Sequence, residues 1–271
     1  MKTAAWGNGE AYSLAHAEVR GVAAVCDPSG ALFLPYLHML VVSDLHLEKG
    51  SSFARRGQLI PPYDTAATLD MLAQAIARYQ PRTIISLGDS FHDAKASERL
   101  PSLYAIRLKS LMEHRDWLWI TGNHDPERPV DLPGDCVEEL AVGPLTFRHE
   151  PSRKAGQGEI AGHLHPAARI VRRGRSVRRP CFVSDGERLI MPAFGAYTGA
   201  LNILDRAFRG LFTDETLRAY MLGQGKVYPI ARGALYGGRA RFDLIESDRC
   251  SNPFFDAHLF RKPFHTFRDA L

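Results

Sequence analysis

Short apolar runs recur along the chain and set the order of its predicted elements. Residues 39–43, 83–87 and 117–120 have the length and composition of buried strands. Apolar residues recur at helical spacing between them, over residues 64–80 and again over residues 100–112, and predict two helices. The order strand, helix, strand, helix, strand predicts an α/β fold with parallel strands.

The flanking regions carry shorter signals. The pattern over residues 11–35 predicts short strands around a turn. After Asp125, short apolar runs predict the antiparallel strands of the second half of the fold, with a hairpin around Gly174. Residues 49–57 are polar and contain glycine, which predicts a loop. A short helix is predicted from residue 213 or 214 to about residue 221.

Length and composition are those of an ordinary globular protein. The chain has 271 residues, of which 45% are hydrophobic and 24% are charged. We expect one domain over residues 1–235 and a C-terminal extension of unknown role over residues 236–271, where no strong period remains. No stretch approaches the ~20 apolar residues that a membrane span needs, and residues 1–10 lack the pattern of a secretory signal. We therefore expect a cytoplasmic protein without a membrane segment. The four cysteines form no CxxC pair and are predicted to be free thiols.

Positive charge is concentrated in one segment. Residues 169–179 hold six arginines and no acid, so that the net charge of +4 becomes −2 when this segment is left out. Such a patch favours a polyanionic partner, although a solvated hairpin face is the alternative. The predicted nucleic-acid-binding residues are Arg169, Arg172, Arg173, Arg175, Arg178 and Arg179.

Polar side chains follow five of the apolar runs. They are two carboxylates, one amide and five imidazoles: Asp44, His46, Asp89, Asn123, His124, His149, His163 and His165. A single Asp or His after a strand is usually a cap or a turn residue, and only the ordered set indicates a ligand site. Carboxylate and imidazole together suit zinc, iron or manganese, and seven ligands suit two ions with one carboxylate between them.

The motifs that contain these residues resemble those of calcineurin-like metallophosphoesterases. They are DxH (Asp44, His46), GD (Asp89), GNHD (residues 122–125), a lone strand-end histidine (His149) and GHxH (residues 162–165), and the resemblance covers about residues 38–205. It implies a four-layer α/β/β/α sandwich. The strings DLHLEKG, GDSFHD and GHLHP are similar, more specifically, to the DNA-ligase-associated, PdeM-like phosphodiesterases or endonucleases. Members of that subgroup are linked to ATP-dependent DNA ligases and Lhr-type helicases.

Carried over residue by residue, the resemblance implies a site with two divalent ions. One ion would be held by Asp44, His46 and His165, the other by Asn123, His149 and His163, and Asp89 would bridge them. His124 would act on the leaving oxygen or on the phosphoryl charge, and Asp125 would orient it. A hydroxide between the ions would attack phosphorus. Manganese is the usual metal of the family, while zinc and iron accept the same ligands.

The implied activity is hydrolysis of phosphodiester bonds by a DNA endonuclease or nuclease that acts in DNA repair. A phosphatase for nucleotides or phosphomonoesters is one alternative, and a non-catalytic DNA-repair scaffold is another. The intact His124 and Asp125 argue against a scaffold. His92 and Asp93 either support the site or belong to a plain loop.

Overall fold

Two mixed β-sheets form the framework of the protein. The computed structural model describes residues 13–55, 57, 63–154, 156–172 and 174–237. The first sheet has seven strands in sequence order, namely β1 (Ala15–Val19), β2 (Val22–Cys26), β3 (Leu32–Leu34), β4 (Met39–Val42), β5 (Thr83–Leu87), β6 (Asp116–Ile120) and β7 (Asp135–Val137). Strands β1 to β4 pair antiparallel, and β4 to β7 pair parallel.

The second sheet has nine strands. They are β8 (Glu139–Val142), β9 (Leu145–Arg148), β10 (Glu159–Ala161), β11 (Pro166–Arg172), β12 (Arg175–Ser184), β13 (Arg188–Ile190), β14 (Leu201–Asn202), β15 (Arg218–Gly223) and β16 (Lys226–Ala231). Strand β10 pairs parallel with β9 and β13, whereas β11 and β12 form the predicted antiparallel hairpin.

Successive side chains of the central strand β4 point to opposite faces of the first sheet and pack in two different apolar clusters. Met39 and Val41 of β4 point into the core between the two sheets, where they join Phe147 and Phe182 of the second sheet. Leu40 and Val42 of β4 point to the opposite side and pack against the helices α2 (Asp64–Tyr79) and α3 (Ser102–Met112), while α1 (Lys49–Arg55) contacts α2. Both faces of β4 are therefore buried, which explains its unbroken apolar run.

The predicted α/β/β/α sandwich is confirmed in its two sheets and in the helical layer on the first sheet. A third apolar cluster covers the outer side of the second sheet. In the described part of the chain, this outer layer consists of loops and of the 3-10 turns Arg206–Phe208 and Arg232–Ala234.

Two predicted elements are wrong. The helix expected over residues 213–221 is instead a turn followed by the first four residues of strand β15, in which Ala219 and Met221 enter the outer cluster while Tyr220 enters the core between the sheets. The loop expected over residues 49–57 contains helix α1. Its first turn is held by α2, since Asp64 Oδ2 accepts from the Gly50 N–H at 3.0 Å.

The described contacts continue to the end of the predicted first domain. The Tyr236 N–H donates to the Arg169 carbonyl at 2.8 Å, and the Tyr236 carbonyl accepts from Asn202 Nδ2 at 3.1 Å. The compact unit extends to Gly238. The predicted extension lies almost wholly outside the described residues, so the domain boundary stays a prediction. Arg173, one of the predicted nucleic-acid-binding residues, also lies outside the described residues. No helix in the described segments has the length and apolarity to cross a membrane.

Candidate active site

The predicted ligands lie in loops at the carboxyl ends of strands from both sheets. Strands β4, β5 and β6 are parallel neighbours, so the loops that follow them open at one edge of the first sheet. These loops carry Asp44, His46, Asp89, Asn123 and His124. The loops after β9 and β10 carry His149, His163 and His165 to the same place.

Six of these side chains form two compact groups. One contains Asp44, His46 and His165, and the other contains Asp89, His149 and His163; within each group the ligand atoms lie within 4.8 Å of one another. Asn123 is exposed in the loop before His124. Its amide as a seventh ligand stays a prediction.

Hydrogen bonds orient the rings of His149 and His165 so that the Nε2 atom of each ring faces a carboxylate oxygen. His149 Nδ1 donates to the Leu87 carbonyl at 2.8 Å, and His165 Nδ1 donates to the Gly199 carbonyl at 3.0 Å. In the neutral rings each bond leaves Nε2 as an acceptor. His165 Nε2 nevertheless lies 3.1 Å from Asp44 Oδ1, and His149 Nε2 lies 3.4 Å from Asp89 Oδ2. Acceptors that face one another at these distances fit a cation between them.

Other ring and carboxylate atoms fit the same interpretation. His46 Nε2 is 3.4 Å from His165 Nε2, and His163 Nδ1 is 3.2 Å from His149 Nε2. Asp44 Oδ1 and His46 Nδ1 are buried without a hydrogen-bond partner in the described structure. A buried carboxylate oxygen of this kind is costly unless a positive charge is close. The donor set therefore fits divalent metal ions.

Carboxylates of the site raise the pKa values of His149 and His165, whereas burial lowers those of His46 and His163. Burial disfavours a charged His149, but the hydrogen bond to Asp89 and the charge of Asp44 outweigh burial and raise the pKa of His149 to about 9. Burial likewise opposes charge on His165, yet Asp44 raises its pKa. Burial lowers the pKa of His46 to about 3. The metal-free site thus places protons where the geometry fits cations.

Five of the predicted ligands have left-handed backbone conformations. The φ angles are 54° at Asp44, 44° at His46, 46° at Asp89, 67° at His163 and 43° at His165. Residues other than glycine rarely adopt this region, at a cost of about 1–3 kcal/mol each where the conformation is strained. This clustering sets the strand ends at the site apart from ordinary turns.

Close approach explains two glycines of the motifs. A Cβ on Gly162 would lie 1.9 Å from Ser43 Oγ and 2.7 Å from Asp44 Oδ2. The Ser43 hydroxyl and the His163 N–H both donate to Asp44 Oδ2, at 2.5 Å and 3.1 Å. These bonds turn Asp44 Oδ1 towards the histidine rings. A Cβ on Gly122 would lie 2.2 Å from the Asp89 nitrogen.

His124 lies on the rim of the site. Its side chain is 49% exposed, with Nε2 3.9 Å from Asp89 Oδ2, and its N–H donates to Asp89 Oδ1 at 2.9 Å. Asp125 is engaged elsewhere, because its Oδ2 accepts from the N–H groups of Ser90 and Phe91 at 2.7 Å and 3.1 Å. Through Oδ2, Asp125 holds the loop that carries Asp89, while Oδ1 is buried without a hydrogen-bond partner in the described structure, and the orienting role of Asp125 stays a prediction. Burial raises the pKa of Asp125 to about 7.

Beside His124 lies a stack of aromatic rings that the sequence did not predict. The His92 ring stacks on His124 with centroids 5.6 Å apart and planes 13° apart, and Phe53 of α1 stacks on His92 at 5.7 Å. The sequence left His92 open, and Phe53 belonged to the segment interpreted as a loop. Asp93 accepts from Arg99 Nη1 and Nη2 at 2.9 Å and 2.6 Å, which holds the loop.

The arginine segment forms the hairpin of β11 and β12. Arg169 pairs across the strands with Arg178, and Arg172 pairs with Arg175. The exposed residues are Arg172, Arg175 and Arg178, and the partly exposed ones are Arg169 and Arg179. The Arg178 guanidinium donates to the Ala200 carbonyl. The preceding residue, Gly199, accepts from His165, so the hairpin and the metal groups share one loop.

One family model and two solved structures show what this chain is similar to. The family model described as calcineurin-like phosphoesterase matches residues 37–184. The nuclease MPE of Pseudomonas putida is similar in structure with a TM-score of 0.62 and 29% sequence identity, over 80% of this chain and 100% of that chain. YfcE, a phosphoesterase from E. coli, has 15% identity over 71% of this chain and 98% of that chain; its TM-score of 0.36 carries no argument. No curated protein matches the chain.

Proposed function

Because this chain belongs to the calcineurin-like phosphoesterase family, we propose that its metal-dependent phosphodiesterase activity is directed at DNA. The main support is a contact between the arginine hairpin and the loop whose Gly199 carbonyl accepts a hydrogen bond from His165. In this contact, Arg178 donates to the Ala200 carbonyl of the same loop. A phosphate backbone that lies along the hairpin would therefore run towards the metal groups. The similarity to the P. putida nuclease supports the same substrate class.

We propose the following roles for the residues that face the ions. Asp44, His46 and His165 hold one divalent ion, and His149 and His163 hold the other together with Asn123. Asp89, whose Oδ2 lies 3.4 Å from His149 Nε2, would be shared by the two ions. Bound in this way, the ions supply a nucleophile at neutral pH and offset phosphate charge. We propose manganese, although zinc and iron suit the same donors.

His124 is the residue best placed to act on the leaving group. Its ring is half exposed beside Asp89, so it faces the space in which a bound phosphodiester would lie. A histidine on this rim donates a proton to the leaving oxygen, or stabilises the charge that develops on the phosphoryl group. Asp125 keeps its carboxylate on the backbone of residues 90 and 91 and so holds the loop below.

The hairpin carries a repulsion that binding of a polyanion would relieve. Like charges directly opposite each other in a sheet are destabilising, and both Arg169–Arg178 and Arg172–Arg175 are such pairs. Phosphate groups between the arginines would convert each repulsion into attraction. Contacts of this kind supply affinity that does not depend on base sequence.

The cellular role extends the proposal. The DNA-ligase-associated sequence strings support action in DNA repair with an ATP-dependent DNA ligase and an Lhr-type helicase. We place the protein in the cytoplasm. The described cysteines, Cys26, Cys136 and Cys181, are free thiols, which suits a reducing compartment.

The test compares DNA with a small diester. Arg172→Ser/Arg175→Ser removes one repulsive pair at the hairpin tip, and Arg82→Ser/Lys109→Ser removes two exposed charges away from the strand ends that carry the ligands. We expect the hairpin variant to bind DNA more weakly and its salt dependence to fall by about two phosphate contacts. Turnover of bis(p-nitrophenyl) phosphate with manganese should be unchanged in both variants.

Other outcomes assign the protein differently. Equal DNA affinity of the two double variants would contradict the role of the hairpin. Turnover of p-nitrophenyl phosphate without any turnover of diesters or DNA would favour the small-molecule phosphatase. Metal binding without hydrolysis of any of these substrates would favour the scaffold.

A further inference from the structure

A column of three rings stands beside the metal groups. Phe53, His92 and His124 follow one another, with centroid distances of 5.7 Å and 5.6 Å and interplanar angles of 30° and 13°. The Lys49 ammonium lies 5.9 Å from the centroid of Phe53, at the far end of the column. The column links helix α1 to the rim residue His124.

Hydrogen bonds fix the backbone of His124 but not its ring. The N–H group is held by Asp89 Oδ1 at 2.9 Å, whereas Nε2 is 3.9 Å from Asp89 Oδ2, too far for a hydrogen bond. Asp125 is committed to two backbone N–H groups. The ring orientation therefore depends on packing.

Two rings pack against His124, and they differ in their other duties. His46 meets it edge to face, with centroids 5.5 Å apart and planes 81° apart, and belongs to a metal group. His92 lies flat against it. The backbone of His92 is held by a bond from its N–H to the Leu47 carbonyl at 3.0 Å, and the next residue, Asp93, is clamped by Arg99. The ring of His92 itself packs between Phe53 and His124, so it offers His124 a flat, backed support.

We propose that His92, backed by Phe53, is the positioning residue that keeps the His124 ring over the reacting phosphate. The proposal rests on the proposed function, because it takes His124 to act there. A flat ring is all that this support requires, so phenylalanine at position 92 should replace it and alanine should not. A loose ring spends less time in the productive orientation, and errors of position near 1 Å lower rates up to about a hundredfold.

The experiment measures kcat and KM for His92→Ala, His92→Phe, Phe53→Ala and His124→Ala. The matched control is His114→Ala, which removes an exposed histidine just before β6, at the opposite end from the ligand loops. The substrates are a thymidine dinucleotide and bis(p-nitrophenyl) phosphate, both with manganese. For the dinucleotide, we expect His92→Ala to lower kcat at least about tenfold with little change in KM. His92→Phe should restore kcat to within about threefold of the unmodified protein.

The leaving group and the free protein provide independent readouts. p-Nitrophenolate departs without a proton, so His92→Ala should reduce its release less than it reduces dinucleotide cleavage. Metal content per chain should stay unchanged. In the metal-free protein, the ring NMR signal that disappears in His124→Ala should be single and sharp, should broaden or split in His92→Ala, and should be single again in His92→Phe.

The outcomes separate the inference from the function on which it rests. If His124→Ala retains full turnover, the role of His124 in the proposed function is wrong. If His124→Ala lowers kcat while His92→Ala does not, the positioning role is overturned and the proposed function stands. Loss of metal in His92→Ala, or failure of His92→Phe to restore turnover with metal retained, would also overturn the positioning role.

Discussion

Gly162 shows how a residue without a side chain shapes the site. Its missing Cβ leaves room for the Ser43 hydroxyl and for Asp44 Oδ2, which would lie 1.9 Å and 2.7 Å from that atom. The carboxylate of Asp44 can take its orientation only because this space is free. The glycine of the GHxH motif is therefore a steric requirement of the first metal group.

Gly162→Ala should accordingly lose both stability and metal. We expect a cost of about 1–3 kcal/mol in the free energy of unfolding, the usual cost of overpacking, together with weaker binding of the first ion. Urea unfolding and metal analysis measure the two effects. Gly233→Ala is the control, because a Cβ there meets no atom within 4 Å. Equal metal content and equal stability in the two variants would contradict this account.

Alanine variants of Asp89 and His124 should differ in whether they lose metal binding or only turnover. Asp89→Ala removes a carboxylate that faces His149 at 3.4 Å, so we expect metal and activity to be lost together. His124→Ala should keep its metal and lower kcat by about 10²–10⁴, the range of a general acid. Metal analysis beside diester hydrolysis gives both numbers. Full activity with retained metal in both variants would disprove the assignment.

The histidine pKa values predict how metal-free protein responds to pH. The pKa of His149 rises from its ordinary value of 6.5 to about 9 on folding, and that of His165 also rises. Their contribution to stability is complete below pH 6.5 and is lost as pH rises through about 9. With ions bound, each ring stays neutral and keeps only its Nδ1 proton, so no ring charge is lost in this pH range and the decline should be absent.

Urea midpoints at pH 6.5 and pH 9 test this difference. We expect the chelated protein to have the lower midpoint at pH 9. The protein with manganese, kept free of oxygen, should show no such fall. A chelated protein that is equally stable at both values would show that the carboxylates do not hold protons on these rings.

At the scale of elements, the hairpin places like charges opposite each other, which is unfavourable for the stability of the sheet. Arg172 and Arg175 face each other at its tip, and both are exposed. Arg172→Glu should convert this repulsion into an attraction and raise stability by about 0.2–1 kcal/mol. The same change should weaken DNA binding. Thermal unfolding and DNA titration measure the two effects, and stability and affinity that change in the same direction would argue against a functional reason for the repulsion.

Elements with one clear period were predicted from the sequence, and those that depend on neighbours were not. Strand β5 has the predicted bounds because its run is apolar throughout, and α2 because Leu69, Leu72 and Ile76 repeat at helical spacing. Helix α1 lacks such a face, and Asp64 of α2 caps it from outside. In strand β15, alternate side chains enter two separate apolar clusters. Both faces of the strand are therefore apolar, and its sequence shows no alternation of polar and apolar residues.

The site was predicted in its chemistry but not in its support. Residue type and motif order indicated the six side chains that the structure brings into two groups. The stack of His92 on His124 depends on how the loop after β5 folds against the loop after β6, and no spacing encodes it. The commitment of Asp125 to residues 90 and 91 is a tertiary contact of the same kind.

At the scale of the whole molecule, the last described segment belongs to the sandwich. Leu235 is buried in the outer cluster, and Tyr236 bonds to β11. A chain that ends after Gly238 should therefore keep its fold, its metal content and its turnover of a small diester. A chain that ends after Gly233 should lose roughly 2 kcal/mol, the value of one buried leucine. Unfolding experiments on both truncations test this, and equal stability would show that the sandwich ends earlier.

Each metal group takes members from both sheets, and this affects when the site can exist. Asp44 and the His163 N–H are bonded across 119 positions of sequence. A ribosome releases the first sheet before the second, so a nascent chain exposes Asp44, His46 and Asp89 while their histidine partners are still unmade. The first group is incomplete until His165 has left the exit tunnel, and the second is incomplete until His163 has. A chain released before residue 163 therefore cannot assemble either metal group and should be inactive as a phosphodiesterase.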